Sequence, residues 1–439
     1  MSAGTLLAAG GQSVRATAEA AKKASRMLAG LDEAKRNAAL EGMAFALEGA
    51  TAELLQANAA DVGGAWEELN SAILARLKLD EPKLVEMSEQ VRSVARLPDP
   101  LGRVLDAIEL DRGLEMTKIS VPLGVLAVIF EARPDAVTQI AALAIKSGNA
   151  VILKAGREVE RTASVLVRVL REALGRAGLP ADAVSLLIGR EQTQELLGMH
   201  GLVDLVIPRG SKELVEYVQA NTRIPVLGHA EGVCHIYVDE SADEAVALRV
   251  IEDAKTDYPA ACNAVETVLV HRAIAAEFLP KLAERLRAKG IALHGDATVR
   301  ELLRGVEVEA VADWHTEYGE LAISLGVIAG LDEAIEHIHV HGSAHTESVI
   351  AEDTAVAERF LREVDAASVM HNASTRFADG FRYGFGAEVG ISTSKLHARG
   401  PVGLEGLTTY KYVLRGHGQV AGDYRGENAK PFTHSRETR

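Results

Sequence analysis

The sequence has few cysteines and few aromatic residues. Among its 439 residues there are two cysteines, Cys234 and Cys262, and aromatic residues make up 4%. Two thiols cannot form a disulfide framework in a chain of this length, which favours a reducing compartment, the cytoplasm. Few aromatic residues beside 48% hydrophobic residues favour helices and parallel sheets over an all-β sandwich.

Long apolar segments and clusters of positive charge are also missing. Uninterrupted apolar stretches such as 125–130 are far shorter than the ~20 residues of a membrane span. The N-terminus has no basic start before its short apolar segment, so we expect no export signal. With 47 Lys+Arg against 62 Asp+Glu, the formal net charge is −15. We therefore expect neither a membrane nor a nucleic acid as partner.

Several common catalytic motifs are absent. The nearest approach to the dinucleotide-binding pattern G-x-G-x-x-G lies at 384–390, where the last glycine is one place too far along, so we interpret it as a flexible loop. The sequence contains no P-loop, no H-E-x-x-H and no G-x-S-x-G. The sequence therefore gives no motif evidence for phosphotransfer, zinc proteolysis or α/β-hydrolase chemistry.

The hydrophobic periodicity predicts three structural regions. Apolar residues at three- and four-residue spacings predict a helical layer over 13–95. Alternation over Leu105 to Ser120, around Asp111-Arg112-Gly113, predicts a β-hairpin. Strands and helices then alternate four times, which predicts a mostly parallel sheet covered on both faces; the strands are at 121–130, 150–153, 184–187 and 203–207, and the helices at 136–146, 162–177, 192–199 and 212–220.

A second α/β unit begins after this alternation. Its first strand is predicted at 233–239, and its first helix starts at Ser241-Ala-Asp-Glu244, which resembles a capping box. Another strand follows at 265–271. Two α/β domains in tandem are therefore expected.

Cys262 is the strongest candidate for chemistry. It lies in Asp257-Tyr-Pro-Ala-Ala-Cys-Asn263, where small residues lead into the strand at 265–271 and leave the sulfur accessible. A free thiol is strongly nucleophilic even at a pKa of about 8.5. The alternative is a buried packing cysteine, and Cys234, inside an apolar strand, fits that description.

Four histidines, at 337, 339, 341 and 345, form a second conspicuous cluster. Alternating imidazoles on a strand could bind a metal. Asp332-Glu-Ala-Ile before them is typical of a helix start, however, and no carboxylate or thiol lies at ligand spacing. We interpret the segment as a helix end followed by a polar turn, with no metal.

The segment from Ala334 to Ile350 resembles the gamma-glutamyl phosphate reductase family, within the aldehyde dehydrogenase superfamily. Further matching motifs run nearly from end to end: Val121-Pro-Leu-Gly-Val, Phe130-Glu-Ala-Arg-Pro134, Lys146-Ser-Gly-Asn149, Pro208-Arg-Gly-Ser211, Cys262-Asn-Ala-Val-Glu-Thr267 and Gly403-Leu-Glu-Gly-Leu407. The resemblance implies an oxidoreductase that converts L-glutamate 5-phosphate and NADPH into L-glutamate 5-semialdehyde and phosphate. That reaction is the second step of proline biosynthesis from glutamate.

In this family chemistry, the Cys262 thiolate would displace phosphate and leave a thioester, which hydride would reduce to a hemithioacetal that releases the aldehyde. Ala132 stands where hydrolytic relatives carry an oxyanion-binding Asn, so the backbone N–H of Cys262 and the amide of Asn263 become the candidate donors. His229 occupies the place of the water-activating glutamate, with Glu231 two residues away. The loss of that base favours a reductase.

The resemblance also implies an NADP(H) site. Lys154 would bind the adenosine ribose beside Gly156, and Arg157 replaces the acid that favours NAD, which suits a 2′-phosphate. Gly210 and Ser211 open a helix whose amides would hold the pyrophosphate. Glu317 falls where the superfamily binds the nicotinamide ribose. Lys154, Arg157 and Glu317 could instead be solvated charges.

For the substrate, Glu131, Arg133 and His229 are the candidates, with residues 392–395 as further ones. Arg133 and Glu131 could instead form a structural ion pair. The role of His229 against Glu231 stays open.

The implied fold is aldehyde-dehydrogenase-like, with two α/β domains built on parallel-sheet cores and a β-flap oligomerisation element. We expect a cofactor domain at 1–104 and 121–232, a catalytic domain at 233–409, and the flap and tail at 105–120 and 410–439. Such flaps exchange between subunits, which implies a homo-oligomer, and functional coupling to glutamate 5-kinase is a further expectation. The alternatives are a hydrolytic NAD(P)-dependent aldehyde dehydrogenase and a cysteine acyltransferase or hydrolase.

Overall fold

The structure is a computed structural model that describes residues 13–65, 74, 76–228 and 231–436. Its described residues form two compact units. The first comprises Met1–Leu227, Gly386–Gly390 and Val402–Arg439, and the second comprises Gly228–Phe385 and Ile391–Pro401. No helix of the described ranges is both long and apolar enough to cross a lipid bilayer.

Four helices have their bounds within the described residues at the start of the first unit, which agrees with the predicted helical layer wherever that layer is described. They are α1 (Val14–Leu28), α2 (Glu33–Gly49), α3 (Thr51–Ala65) and α4 (Glu81–Arg96). Side chains cap three of them, because Ser13, Asp32 and Asp80 each accept a hydrogen bond from a backbone N–H three residues on. Residues 66–73 and 75 of the predicted layer lie outside the described residues.

A four-stranded parallel sheet forms the core of the first unit. Its strands are β3 (Val125–Phe130), β4 (Ala150–Ala155), β5 (Val184–Ile188) and β6 (Leu205–Arg209), in the order β5-β4-β3-β6. The connecting helices are α5 (Asp135–Lys146), α6 (Glu160–Arg176) and α7 (Arg190–Leu197), and α8 (Lys212–Ala220) follows β6. All six residues of β3 are buried, as expected for a strand covered on both faces. The predicted strand–helix alternation is therefore confirmed.

The predicted hairpin is present. Strand β1 (Val104–Asp111) pairs antiparallel with β2 (Leu114–Pro122), and the turn between them contains Gly113 at a φ of 70°, which a residue without a Cβ adopts readily. The tail strand β16 (Thr408–Arg415) pairs with β2 along its whole length. The hairpin and the tail thus form one three-stranded sheet, as expected from the sequence.

The second unit is built on a seven-stranded sheet in which every pair is parallel, in the order β10-β9-β11-β8-β7-β12-β13. Its strands are β7 (Cys234–Val238), β8 (Val265–His271), β9 (Ala292–Gly295), β10 (Glu309–Ala310), β11 (Ala322–Ile328), β12 (Thr346–Ile350) and β13 (Ser368–His371). The helices are α9 (Glu244–Thr256), α10 (Arg272–Ala288), α11 (Ala297–Leu302), α12 (Leu331–His341) and α13 (Thr354–Glu363). Two short strands, β14 (Ile391–Ser392) and β15 (Gly400–Pro401), pair with each other.

The unit boundaries differ from the expected domains. The second unit starts at residue 228 rather than 233, and segments 386–390 and 402–409 belong to the first unit together with the flap. Hydrogen bonds hold these segments: the amide of Val402 donates to the carbonyl oxygen of Gly390, and the side-chain Nδ2 of Asn149 donates to the carbonyl oxygen of Leu407 at 2.8 Å.

The capping-box prediction at Ser241 was wrong. Helix α9 begins at Glu244, and its N-cap is Asp243, whose side chain accepts from the amide of Val246 at 2.9 Å. Ser241 instead donates through Oγ to Asp239 at 2.8 Å. The Ser241 hydroxyl therefore bonds to the Asp239 carboxylate instead of capping the helix as the sequence pattern predicted.

Candidate active site

Cys262 lies in a tight turn between α9 and β8. Ala261 N donates to the carbonyl oxygen of Tyr258 at 3.0 Å, and Ala264 N donates to that of Ala261 at 2.8 Å. The cysteine is partly exposed, whereas Cys234 is fully buried. The turn therefore holds the Cys262 side chain where a substrate can reach it, as predicted from the small residues around it.

The second cysteine, Cys234, forms a hydrogen bond with the backbone of this turn. Cys234 Sγ donates to the backbone carbonyl oxygen of Cys262 at 3.3 Å. Burial, and after it the nearby Glu347 carboxylate, raises the pKa of the Cys234 thiol well above its ordinary value. Cys234 therefore stays a protonated donor, and Cys262 is the thiol available for nucleophilic chemistry.

Two further residues fix the turn. A Cβ placed on Gly232 would lie 2.6 Å from the Cys262 carbonyl carbon and Cα, so only glycine fits against this backbone. Asn263 is buried, and its Nδ2 donates to the carbonyl oxygen of Ala378 at 2.9 Å. One amide hydrogen of Asn263 is thus used structurally, and its predicted oxyanion role stays a prediction.

Asp257 anchors the start of the loop. Its Oδ2 accepts from Arg376 Nε at 3.0 Å and from Arg382 at 2.8 Å. The Arg382 hydrogen bond, supported by that of Arg376, lowers the pKa of Asp257 below its ordinary value. The carboxylate therefore stays ionised and clamps residues 376–382 to the loop that carries Cys262.

In the first unit, predicted cofactor residues and the predicted substrate residue Glu131 lie at the carboxyl edge of the parallel sheet. Glu131, Gly156 and Gly210 directly follow the neighbouring strands β3, β4 and β6. The chain runs from β3 to β4 and β5 on one side and returns to β6 on the other side of β3. Ligands of open α/β sheets bind at such a switch point.

Lys154 and Arg157 both lie at the end of β4. Lys154 is 7% exposed and is the last residue but one of the strand, whereas Arg157 is exposed in a 3₁₀ turn, Arg157–Val159. Within the described part of the chain, Arg157 forms no ion pair, so its guanidinium is not neutralised by a neighbouring carboxylate. The predicted ribose and 2′-phosphate residues are therefore adjacent in space.

The loop after β3 is held by Glu158, a contact that the sequence did not reveal. The amide of Ala132 donates to Glu158 Oε1 at 2.7 Å, and Ala132 has a φ of 47°. A left-handed conformation is costly for a residue with a Cβ and persists only where the surroundings enforce it. The hydrogen bond to Glu158 is one such constraint.

Glu131 and Arg133 do not form the ion pair that the sequence left open. Glu131 Oε2 instead accepts from the backbone amide of Ser211 at 3.5 Å, at the N-terminus of α8. Ser211 is the N-cap, and its Oγ accepts from Leu214 N at 3.4 Å. A carboxylate of the protein therefore lies at the amide that we expected to bind a pyrophosphate.

Glu317 lies in the loop between β10 and β11 of the second unit. The next two backbone amides, those of Tyr318 and Gly319, donate to the carboxylate of Glu266. Glu266 also forms a fully buried ion pair with Lys255. Sequence reasoning missed the contact of Glu266 with the loop, because 52 residues separate Glu266 from Tyr318 along the chain.

The histidine cluster forms a helix end, as predicted. His337 and His341 share a face of α12, with ring centroids 4.5 Å apart. Burial, and then the neighbouring His235, lowers the pKa of His337 to about 3. Among the described residues, no three His, Cys, Asp or Glu side chains are arranged to hold a metal ion.

The remaining substrate candidates, residues 392–395 and His229, differ in what the structure shows of them. Lys395 forms an ion pair with Asp365, and Ser394 Oγ accepts from the amide of Leu396 at 3.2 Å. His229 lies outside the described residues, and Glu231 is partly buried. The choice between His229 and Glu231 as a base thus stays open.

Comparisons with known proteins identify the family of the chain. Residues 2–299 match the Aldehyde dehydrogenase family. A gamma-glutamyl phosphate reductase from Cyanothece sp. is 56% identical over 414 residues, 94% of this chain and 95% of that protein. A second, from Synechocystis sp., is 53% identical over 416 residues, 94% of this chain and 96% of that protein.

A solved structure shows the same fold. The crystal structure of gamma-glutamyl phosphate reductase from Thermotoga maritima has a TM-score of 0.91 and 39% sequence identity, covering 93% of this chain and 100% of that one. These matches confirm the resemblance found in the sequence motifs and the aldehyde-dehydrogenase-like fold. The chain belongs to the aldehyde dehydrogenase family and, within it, to the gamma-glutamyl phosphate reductases.

Proposed function

We propose that the protein catalyses the NADPH-dependent reduction of L-glutamate 5-phosphate to L-glutamate 5-semialdehyde and phosphate, with Cys262 as the nucleophile. The observation that carries this proposal is the partly exposed Cys262 thiol in a turn held by Cys234 and Gly232. Full-length relatives bearing the reductase name support the choice of substrate. The reaction is the second step of proline biosynthesis from glutamate.

The first half of the reaction is an acyl transfer to sulfur. The Cys262 thiol loses its proton, and the thiolate forms a bond to the acyl carbon while the bond from that carbon to the phosphate oxygen breaks. Phosphate leaves with the bonding electron pair, and the acyl group remains as a thioester. The backbone N–H of Cys262, assisted by Asn263, is the proposed donor to the developing oxyanion.

The second half returns the enzyme to its thiol form. NADPH, when bound, supplies the hydride that reduces the thioester carbon. The resulting hemithioacetal on Cys262 collapses: its carbon–sulfur bond breaks, sulfur keeps the electron pair and takes up a proton, and the aldehyde departs. A single thiol thus serves both halves.

The residues of this chain fit a nicotinamide dinucleotide, the cofactor class of the family. Lys154 would bind the adenosine ribose, and the exposed guanidinium of Arg157 suits a 2′-phosphate, which favours NADP over NAD. The amides at Gly210 and Ser211 would hold the pyrophosphate once the Glu131 carboxylate leaves them. Glu317 would bind the nicotinamide ribose.

Substrate recognition is the least constrained part of the proposal. Arg133, partly exposed beside Glu131, would bind an anionic group of the substrate, and Glu131 and His229 would face its amine and carboxylate. In the reductase neither His229 nor Glu231 activates water, since water attack on the thioester would divert it to glutamate.

The reverse reaction tests the proposal. L-Glutamate 5-semialdehyde and NADP⁺ should yield NADPH only when phosphate is present, because phosphate is needed to release the acyl group from Cys262. Turnover that is unchanged when phosphate is omitted would identify a hydrolytic aldehyde dehydrogenase instead. Cys262→Ala should form no product while still binding NADPH. Wild-type protein that neither binds nor consumes NADPH would favour a cysteine acyltransferase or hydrolase.

We also propose that the protein acts as a homo-oligomer in the cytoplasm. The three-stranded sheet carries exposed apolar side chains on its strands, including Leu105, Tyr412 and Leu414, each more than half exposed. Apolar patches of this kind mark association surfaces. Because acyl phosphates hydrolyse readily in water, functional coupling to glutamate 5-kinase, which would supply the substrate, forms part of the same proposal.

A further inference from the structure

A buried ion pair in the second unit is not used by the proposed chemistry. Lys255 on α9 and Glu266 on β8 are both 0% exposed, and Lys255 Nζ lies 2.7 Å from Glu266 Oε2. Removing two charges from water costs several kcal/mol per ion, and a well-packed apolar pair is often at least as stable. Stability alone is therefore a weak explanation for the pair.

The Glu266 carboxylate has further partners that point to another role. Oε2 also accepts from the backbone amide of Tyr318 at 3.3 Å, and Oε1 accepts from that of Gly319 at 3.5 Å. Three donors thus converge on one carboxylate, two of them from the loop between β10 and β11. The buried acid connects strand β8 to this loop through the loop's backbone.

The Tyr318 side chain is fixed independently. Its hydroxyl lies 2.9 Å from Ser324 Oγ, and its ring stacks on His294 with centroids 4.8 Å apart. Gly319, at a φ of 62°, makes the turn that brings both amides toward Glu266. The backbone on the C-terminal side of Glu317 is therefore held at both Tyr318 and Gly319.

Lys255 contributes by favouring the ionised form of Glu266. Burial raises the pKa of Glu266 to about 7 even though the Lys255 ammonium opposes that rise. Burial also lowers the pKa of Lys255, and the carboxylates of Glu266 and Glu317 oppose that shift, so Glu317 lies within electrostatic reach of the pair. Lys255 therefore interacts electrostatically with both Glu266 and Glu317.

We propose that the Lys255–Glu266 pair positions Glu317 for the nicotinamide ribose by holding the amides of Tyr318 and Gly319. Glu266 is then a positioning residue for the loop between β10 and β11, and Cys262 lies four residues before it along the chain. The inference rests on the proposed function at one point, the contact of Glu317 with the cofactor.

The test measures NADPH affinity directly, by fluorescence titration without substrate. Glu266→Gln should raise the Kd for NADPH about tenfold, while the rate of Cys262 alkylation stays within twofold of wild type. In a Glu317→Gln background the same substitution should have no further effect on Kd, because the residue through which it acts is already removed. Equal effects of Glu266→Gln in both backgrounds, or no effect on Kd, would overturn the proposal.

Folding needs its own control, since Glu266→Gln leaves the buried Lys255 without a charged partner. The double variant Lys255→Met, Glu266→Gln removes both charges and should also raise Kd about tenfold. If neither variant folds, as judged by circular dichroism, the pair is a folding requirement and the positioning role is wrong. Wild-type protein that binds NADPH but does not reduce the acyl phosphate would refute the proposed function. The positioning role of Glu266 could still be tested, because that test measures only the Kd for NADPH.

Discussion

Gly232 gives the sharpest test of how the Cys262 turn is held. A Cβ at this position would lie 2.6 Å from the Cys262 carbonyl carbon and Cα, whereas ordinary contact begins at 3.4 Å. Gly232→Ala must therefore move backbone atoms by at least about 0.8 Å, because no flexible side chain is available to yield. Gly232 does not have a positive φ, so the effect of alanine is steric and not conformational.

The displaced atoms belong to Cys262, the proposed nucleophile, and this determines the expected loss of rate. A misplacement of about 1 Å costs about 100-fold in rate, equivalent to about 2.7 kcal/mol in the activation free energy. Overpacking should also lower the free energy of unfolding by about 1–3 kcal/mol. We expect the loss in kcat to persist well below the melting temperature of the variant, where the chain is fully folded.

The assay follows NADPH formation from the semialdehyde and phosphate at saturating concentrations, beside a thermal melt. Gly42→Ala is the matched control: no atom lies within 4 Å of its added Cβ, and it lies inside α2, so it should stabilise the chain by about 0.5–1 kcal/mol and leave kcat unchanged. A Gly232→Ala enzyme with kcat within threefold of wild type would refute the steric reasoning.

Three further predictions follow from single contacts. Arg157→Ala should raise the KM for NADPH at least about tenfold and leave the KM for NADH unchanged, because it removes the proposed charge-assisted contact with the 2′-phosphate. Cys234→Ala should lower kcat by up to about fivefold, the equivalent of one hydrogen bond of ~1 kcal/mol to the Cys262 carbonyl, and Cys234→Ser should restore it. Asp257 has a pKa held below its ordinary value of 3.8 by Arg382, so its stabilising contribution is present above pH 3.8 and is lost as the pH falls through the lower, folded-state value.

Each of these predictions has its own check. Arg176→Ala, an exposed arginine in the last turn of α6, should leave both cofactor KM values unchanged, and equal losses with NADPH and NADH in Arg157→Ala would contradict the 2′-phosphate contact. For Cys234, a serine variant as slow as the alanine variant would mean that the donor is unimportant. Thermal melts of Asp257→Asn and wild type should differ at pH 7, and the difference should shrink as the pH is lowered below 3.8. A difference that stays constant would count against the ion-pair reasoning.

Periodicity predicts most of the fold because burial on both faces leaves a local signal. The strand predicted at 265–271 coincides with the observed bounds of β8, since its run of apolar residues ends at a helix start. Ser241 shows where local signals fail: Ser241 and Asp243 can both cap a helix, and the choice is made by Asp239, which recruits the serine. Similarly, the segment at 402–409 belongs to the first compact unit, and its contact with Asn149 is distant along the chain, so no local pattern indicates it.

The candidate site also has features that the sequence predicts and features that it does not. The loop position and partial exposure of Cys262 can be predicted because they depend on the small residues next to it in the sequence. The supporting contacts of Cys234 and Glu266 cannot, since they depend on strands pairing across the sheet, and no short motif encodes which amide a buried carboxylate will accept. Glu131 is a substrate candidate by sequence, but its contact with Ser211 N is visible only once β3 and β6 are neighbours.

The difference in exposure between the two cysteines allows local opening of the second unit to be measured by thiol labelling. Cys262 is partly exposed and will react with a thiol reagent in the native state, whereas Cys234 is fully buried on β7 with a raised pKa. Modification of Cys234 therefore requires the central sheet of the second unit to open locally. The labelling rate of Cys234, compared with the rate of the same thiol in the unfolded chain, therefore reports the free energy of that opening.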